Sequence, residues 1–199
     1  MKSEGCLLIM KKIITDCDGV LLDWAFAFNI WMREQGHFVL PETEHHFDLS
    51  KRYGIPKDEA IEKVHYFNQL GVLGFIPAYK DSVEYVTRLA REGWRFDVIT
   101  AIGQDKYSHE LRRANLLHLF GDVFDSIQCN VDFTKSKKDV LMKYKGHNYV
   151  WIEDRTECAK DGDEVGLKSY IMDHPYNQDY NGRRVNNWKE LYNMEFKES

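Results

Sequence analysis

Three short apolar runs constrain this chain more than any other feature: Lys12-Ile13-Ile14-Thr15, Phe96-Asp97-Val98-Ile99-Thr100 and Tyr149-Val150-Trp151-Ile152. Each ends in a polar or glycine-bearing turn. Near-continuous hydrophobicity, without alternation of wet and dry positions, marks strands covered on both faces, as in parallel sheets flanked by helices. The segments between them have helical period. Ser82 to Glu92 places Val83, Val86, Leu89 and Ala90 on one face, with Gly93 as a stop signal. Tyr107 to Leu119 is expected to bury Leu111, Ala114, Leu117 and His118 before Phe120-Gly121, and Lys138 to Lys145 predicts a third, shorter helix. Helix followed by strand, repeated, implies right-handed crossovers and a parallel α/β sheet.

Residues 24–76 break this rhythm. They carry ten aromatic side chains (Trp24, Phe26, Phe28, Trp31, Phe38, Phe47, Tyr53, Tyr66, Phe67 and Phe75) and no buried-strand run. Helices are expected over Ala25–Gln35 and Lys57–Leu70, the latter opened by Pro56 or Asp58. The expected organisation is therefore one core, 1–23 and 77–199, interrupted by a helical insertion. The tail from Pro175 is polar and turn-rich, with Trp188 and Leu191 expected to dock it.

At 199 residues the chain is long enough for a self-sufficient core, and 43% hydrophobic with 30% charged residues describes an ordinary globule. Lys plus Arg number 27 against 32 Asp plus Glu, a net charge of −5, with no basic stripe for stable nucleic-acid binding. The four cysteines, Cys6, Cys17, Cys129 and Cys158, lack C-x-x-C spacing, so neither a disulfide framework nor a zinc site is expected. No apolar run approaches the roughly 18–20 residues of a membrane span, and the start lacks the pattern of a signal peptide. Met10 offers a second start that would make residues 1–9 a dispensable extension. A cytoplasmic protein without membrane contact is expected.

The chemistry concentrates at Ile13-Ile14-Thr15-Asp16-Cys17-Asp18-Gly19-Val20-Leu21. Two carboxylates sit two residues apart where an apolar strand ends. In extended chain, positions i and i+2 face the same side, so both can address one ligand, and Cys17 points away. The carboxyl ends of parallel strands are where such folds bind ligands. One carboxylate can attack as a nucleophile while the other moves a proton. An EF-hand loop is excluded, because its sixth and twelfth positions would be Leu21 and Ala27 rather than Gly and Glu. His45-His46 and Asp161-Gly162-Asp163-Glu164 are expected to be surface features, the histidines pointing apart.

Asp16-Cys17-Asp18-Gly19-Val20 resembles the first motif, D-x-D-G-[TV], of the haloacid dehalogenase superfamily of phosphohydrolases. Three further motifs occur in the expected order. Thr100-Ala101 closes an apolar strand, a lysine among Lys135, Lys137 and Lys138 opens a helix, and Glu153-Asp154 follows a third strand. The resemblance implies a Rossmann-like three-layer α/β/α core with a small helical cap at 24–76. It implies Asp16 as a nucleophile that forms an aspartyl-phosphate and Asp18 as general acid/base. Thr100 and the backbone of Ala101 would bind phosphate, with Lys137 or Lys138 neutralising charge. Mg²⁺ would be held by Asp16, the Asp18 carbonyl and Asp154, with Glu153 in the outer sphere. The Glu-Asp order leaves open which of the last two binds directly.

A narrower resemblance, to the 5'(3')-deoxyribonucleotidase branch, lies in Glu153-Asp154-Arg155, His174-Pro175-Tyr176-Asn177 and Arg184-Val185-Asn186-Asn187-Trp188. Thr156 stands where that branch commonly has Pro. The expected substrate is a small phosphomonoester, foremost a (deoxy)nucleoside monophosphate, with a sugar phosphate as the alternative. A catalytically idle phosphate-binding protein is the competing class. Trp24, Phe26 and Phe47 are the first candidates to stack on a base, and Tyr66 and Phe67 the second.

Overall fold

The computed structural model describes residues 11–129, 131 and 136–197. Lys135, Cys6 and the Met10 start lie outside the described residues.

The apolar runs form the centre of a six-stranded sheet of order β3-β2-β1-β4-β5-β6, parallel throughout. The strands are β1 (Lys12–Thr15), β2 (Arg95–Ile99), β3 (Phe124–Gln128), β4 (Val150–Glu153), β5 (Lys168–Met172) and β6 (Arg183–Val185). Successive side chains go to opposite faces and meet different clusters. Ile13, Phe96, Val98, Val150 and Ile152 join the large core, while Ile14, Ile99 and Trp151 pack with Leu141, Tyr144 and Val165 on the other side. Both faces are therefore covered, as a continuous apolar pattern requires. The chain runs outward from β1 through β2 to β3, then returns to β4 on the other side of β1. This reversal opens a crevice at the carboxyl ends of β1, β2 and β4.

The insertion after β1 holds α1 (Trp24–Glu34), α2 (Leu49–Tyr53), α3 (Lys57–Asn68) and a 3₁₀ turn over Gly71–Phe75. Asp23 caps α1 by accepting from Phe26 N at 3.0 Å, Asp48 caps α2 by accepting from Ser50 N at 2.9 Å, and Pro56 precedes α3. Its interior is aromatic: Trp24 stacks on Phe28 with ring centroids 4.5 Å apart, and Phe67 sits edge-on to both. Phe28, Met32, Tyr53 and Phe67 are continuous with the main core.

The remaining helices are α4 (Ser82–Arg91), α5 (Lys106–Phe120), α6 (Lys138–Leu141), α7 (Thr156–Val165) and α8 (Trp188–Glu195). Two expectations are corrected here. The buried face of α5 is Ser108, Arg112, Asn115, Leu116 and Phe120, whereas Ala114, Leu117 and His118 face solvent. Polar residues take the inner face because partners await them: Arg112 meets Asp18, and Asn115 Nδ2 donates to Ile76 O at 3.1 Å. Asp161 to Glu164 is not a solvated turn but the end of α7, with Gly162 pressed so closely on Trp151 that a Cβ would lie 2.3 Å from its ring.

The tail is more structured than its turn-rich sequence suggests. It contributes β6 and α8, and Trp188 and Leu191 are fully buried. Trp188 Nε1 donates to Val20 O at 2.9 Å, tying the tail to the turn that follows β1.

Candidate active site

β1 delivers Asp16 to the crevice, where Asp16 N donates to Ile152 O at 2.8 Å and the side chain is almost wholly buried. Lys137 arrives from the turn before α6. Its Nζ lies 2.8 Å from both Asp16 Oδ1 and Glu153 Oε2. The turn is fixed by Asp161 of α7, whose Oδ2 accepts from Lys137 N at 2.8 Å and from Ser136 Oγ at 2.8 Å. Lys138, the next residue, turns outward and pairs with Glu164 at 2.6 Å on the surface. Of the two lysines expected at phosphate, only Lys137 lines the cavity, because consecutive residues at a helix start point in different directions.

β4 brings two more acids. Glu153 is fully buried, with Oε1 accepting from Asp154 N at 3.2 Å and from Arg155 N at 3.3 Å. Asp154 Oδ2 accepts from the Tyr176 hydroxyl at 2.5 Å, and Asn177 Nδ2 donates to Asp154 O at 2.7 Å. Gly19, at φ 77°, lets the turn after β1 lie against Asp154; a Cβ there would stand 2.5 Å from Asp154 Oδ2.

Asp16, Glu153 and Asp154 offer oxygen ligands within 4.8 Å of one another. Burial and the neighbouring Glu153 charge push the Asp16 carboxyl up to about 7 despite Lys137. Burial and the Asp16 charge push Asp154 up to about 6, and burial raises Glu153 too, against the pull of Lys137. Three crowded acids around one ammonium make an all-oxygen, electron-rich donor set, which fits a hard divalent cation such as Mg²⁺. Glu153 is bonded to Lys137 and to two backbone N–H groups and does not line the cavity beside these acids, whereas Asp16 and Asp154 do.

Asp18 stands apart from this cluster. The chain leaves extended conformation after Thr15 and turns, Leu21 N and Leu22 N both donating to Cys17 O. The Asp18 carboxylate is gripped by Arg112, with Nη1 2.7 Å from Oδ1 and Nη2 2.9 Å from Oδ2. Burial nonetheless raises Asp18 to about 6, against the opposing Arg112 charge. Cys17 is buried in the core, away from the cavity.

Asp16, Asp18 and Asp154 line a cavity of about 840 Å³. Thr100 and Ala101 line it from the end of β2, and Trp24, Phe26 and Phe47 line it from the insertion. Phe26 and Phe47 are half exposed, whereas Trp24 already stacks on Phe28 and donates Nε1 to Asn68 Oδ1 at 2.9 Å. Tyr66 and Phe67 do not line the cavity; Tyr66 faces solvent and Phe67 is core. His45 and His46 are not splayed, their ring centroids lying 3.9 Å apart.

Sequence reasoning missed several lining or supporting groups. Arg155 lies over the Phe47 ring at 5.0 Å, Phe47 meets Tyr176 at 5.4 Å, and Tyr176 stacks on His174 at 4.9 Å. His174 Nε2 is 2.8 Å from Gly19 O. Arg52 and Lys57 line the cavity from the insertion. The adjacency of Arg155 to the acid pair and the His-Pro-Tyr-Asn run were the available signals; Arg112 had none.

No protein-family model matches the chain, and no curated protein matches it in sequence. Solved structures do. CbbY from Rhodobacter sphaeroides, in complex with phosphate, is 20% identical over 92% of this chain and 96% of its own, with a TM-score of 0.60. A haloacid dehalogenase-like family hydrolase from Streptococcus pneumoniae is 15% identical over 94% of this chain and 98% of its own, with a TM-score of 0.64. The D,D-heptose 1,7-bisphosphate phosphatase from B. bronchiseptica, complexed with magnesium and phosphate, is 14% identical over 93% and 97%, with a TM-score of 0.55. The chain has the fold of haloacid dehalogenase-like hydrolases.

Proposed function

We propose that this protein is a Mg²⁺-dependent phosphohydrolase that cleaves a small phosphomonoester through an aspartyl-phosphate on Asp16. The observation that carries the reading is the Lys137 ammonium, buried between Asp16 and Glu153 beside Asp154, at the crevice where the sheet reverses. A buried lysine among three acids is poorly explained by stability alone, since an apolar cluster would fill the same space as well.

In this account an Asp16 carboxylate oxygen attacks phosphorus as the bond to the leaving oxygen breaks. Asp18 gives its proton to that oxygen, then accepts one from the water that hydrolyses the acyl phosphate. Lys137 balances charge on Asp16 and phosphate, and Thr100 with the Ala101 backbone orients phosphate oxygens. Asp16 and Asp154 would hold a divalent cation, which would supply the charge that lets a phosphate dianion approach these acids.

For the leaving group, Phe26 and Phe47 present half-exposed faces to the cavity, which suits a nucleobase and supports a (deoxy)nucleoside monophosphate. The sugar-phosphate reading has comparable support. The heptose bisphosphate phosphatase shares the fold, and a CbbY variant was solved with xylulose-(1,5)-bisphosphate. Arg52 and Lys57 could receive a second charged group.

Phosphate release from a panel of nucleoside monophosphates and sugar phosphates, with and without Mg²⁺ and with Asp16→Asn, tests both levels. Mg²⁺-dependent turnover lost in Asp16→Asn is expected. Cleavage of sugar phosphates with every nucleotide ignored would refute the nucleotidase reading, and turnover retained by Asp16→Asn would refute the nucleophile.

A further inference from the structure

Two buried cations hold three of the four acids of the site. Lys137 takes Asp16 and Glu153; Arg112 takes Asp18. Arg112 comes from the middle of α5 and is 0% exposed. Its Nη2 donates to Asp18 Oδ2 at 2.9 Å, and its Nη1 lies 2.7 Å from Oδ1 and 3.3 Å from Cys17 Sγ. Arg112 does not line the cavity, whereas Asp18 does.

The turn that carries Asp18 leaves its side chain 27% exposed. An aspartate on such a turn can rotate toward solvent or toward Asp16 and Asp154. The Nη2 hydrogen bond to Oδ2 limits that freedom, and it leaves Oδ1 with no hydrogen bond among the described residues. The neighbouring Asn115 bond to Ile76 O holds the same face of α5 against the core.

We infer that Arg112 is a positioning residue that fixes the Asp18 carboxyl group where it meets the leaving oxygen, acting through Asp18 and not on substrate. The inference rests on the phosphohydrolase reading above, in which Asp18 moves the proton. As the P–O bond breaks, the proton on Asp18 passes to the leaving oxygen and Asp18 becomes a carboxylate. A misoriented Asp18 therefore slows departure of an alkoxide, which needs that proton, and spares departure of p-nitrophenolate, which does not.

The test compares kcat/KM, which reports steps only through departure of the leaving group, for Arg112→Gln and Arg112→Lys. The substrates are p-nitrophenyl phosphate and an alkyl phosphate that the wild type cleaves, either a nucleoside 5'-monophosphate or a sugar phosphate. Arg112→Gln is expected to lose on the order of tenfold to a hundredfold on the alkyl ester and less than about threefold on p-nitrophenyl phosphate. Arg112→Lys should recover part of the loss, and Arg112→Gln should add nothing in an Asp18→Asn background. Equal losses on both substrates, or full additivity with Asp18→Asn, would overturn the inference. Should Arg112→Gln fail to fold, the two substrates applied to Arg112→Lys decide it by the same ratio. A wild type that cleaves neither substrate removes the phosphohydrolase reading; an active wild type with equal losses removes only the role of Arg112.

Discussion

Lys137 Nζ and Asp16 Oδ1 meet at 2.8 Å with 2% and 8% of their side chains exposed, an ion pair almost entirely out of water. Asp16 follows β1 and Lys137 precedes α6, so the pair closes only when the sheet has formed. Its position at the carboxyl end of the central strand sets the rest of the site around it.

Removing the ammonium leaves Asp16 and Glu153 buried and uncompensated. Lys137→Met should destabilise the protein by about 3–5 kcal/mol at neutral pH and abolish turnover. Lys138→Met, on the surface pair with Glu164, should leave both unchanged. Thermal unfolding and phosphate release on the two variants check the contrast, and equal effects would remove the special place given to Lys137.

Gly19 is held at φ 77° against Asp154, while Gly36 has φ 82° with open space around it. Both Gly→Ala substitutions carry left-handed strain of about 1–2 kcal/mol. Gly19→Ala should in addition displace Asp154 and weaken Mg²⁺ binding on the order of tenfold or more. Gly36→Ala should leave Mg²⁺ affinity untouched. Isothermal titration with Mg²⁺ separates strain from displacement.

How legible this site was depends on whether a role is local. Asp16 and Asp18 stood out because an apolar strand ran into two acids, and their order along the chain matched a known motif. Lys137 and Lys138 could not be separated, since both start the same helix and the choice rests on Asp161, a contact from α7. Arg112 was invisible for a stronger reason. It lies in Leu111-Arg112-Arg113-Ala114-Asn115, where apolar periodicity assigns the inner face to Leu111 and Ala114. Tertiary partners for Arg112 and Asn115 overrode that pattern. The fold was legible in its central strands, whose residues are apolar on both faces. The strands β3, β5 and β6, with sequences FDSIQ, KSYIM and RRV, mix charge and polarity and escaped notice.

Asp154 is raised to about 6 and Asp16 to about 7, both above the ordinary carboxylate value. The folded state thus holds these protons more tightly than the unfolded chain. The resulting stability is present below about pH 4 and is lost as pH rises toward 6 to 7. In metal-free buffer Asp154→Asn, which carries no such charge, should gain stability relative to the wild type between pH 4 and pH 7. Millimolar Mg²⁺ at pH 7 should reverse the order by stabilising the wild type alone. Melting temperatures of the two proteins, with and without Mg²⁺, report the signs directly.

The central claim is that Asp16 carries phosphate during turnover. Rapid acid quench with a ³²P-labelled phosphomonoester that the protein cleaves, followed by peptide mapping, tests it most directly. The account predicts label on Asp16, appearing before product phosphate and absent from Asp16→Asn. Full turnover with no label on Asp16 at any time would contradict it.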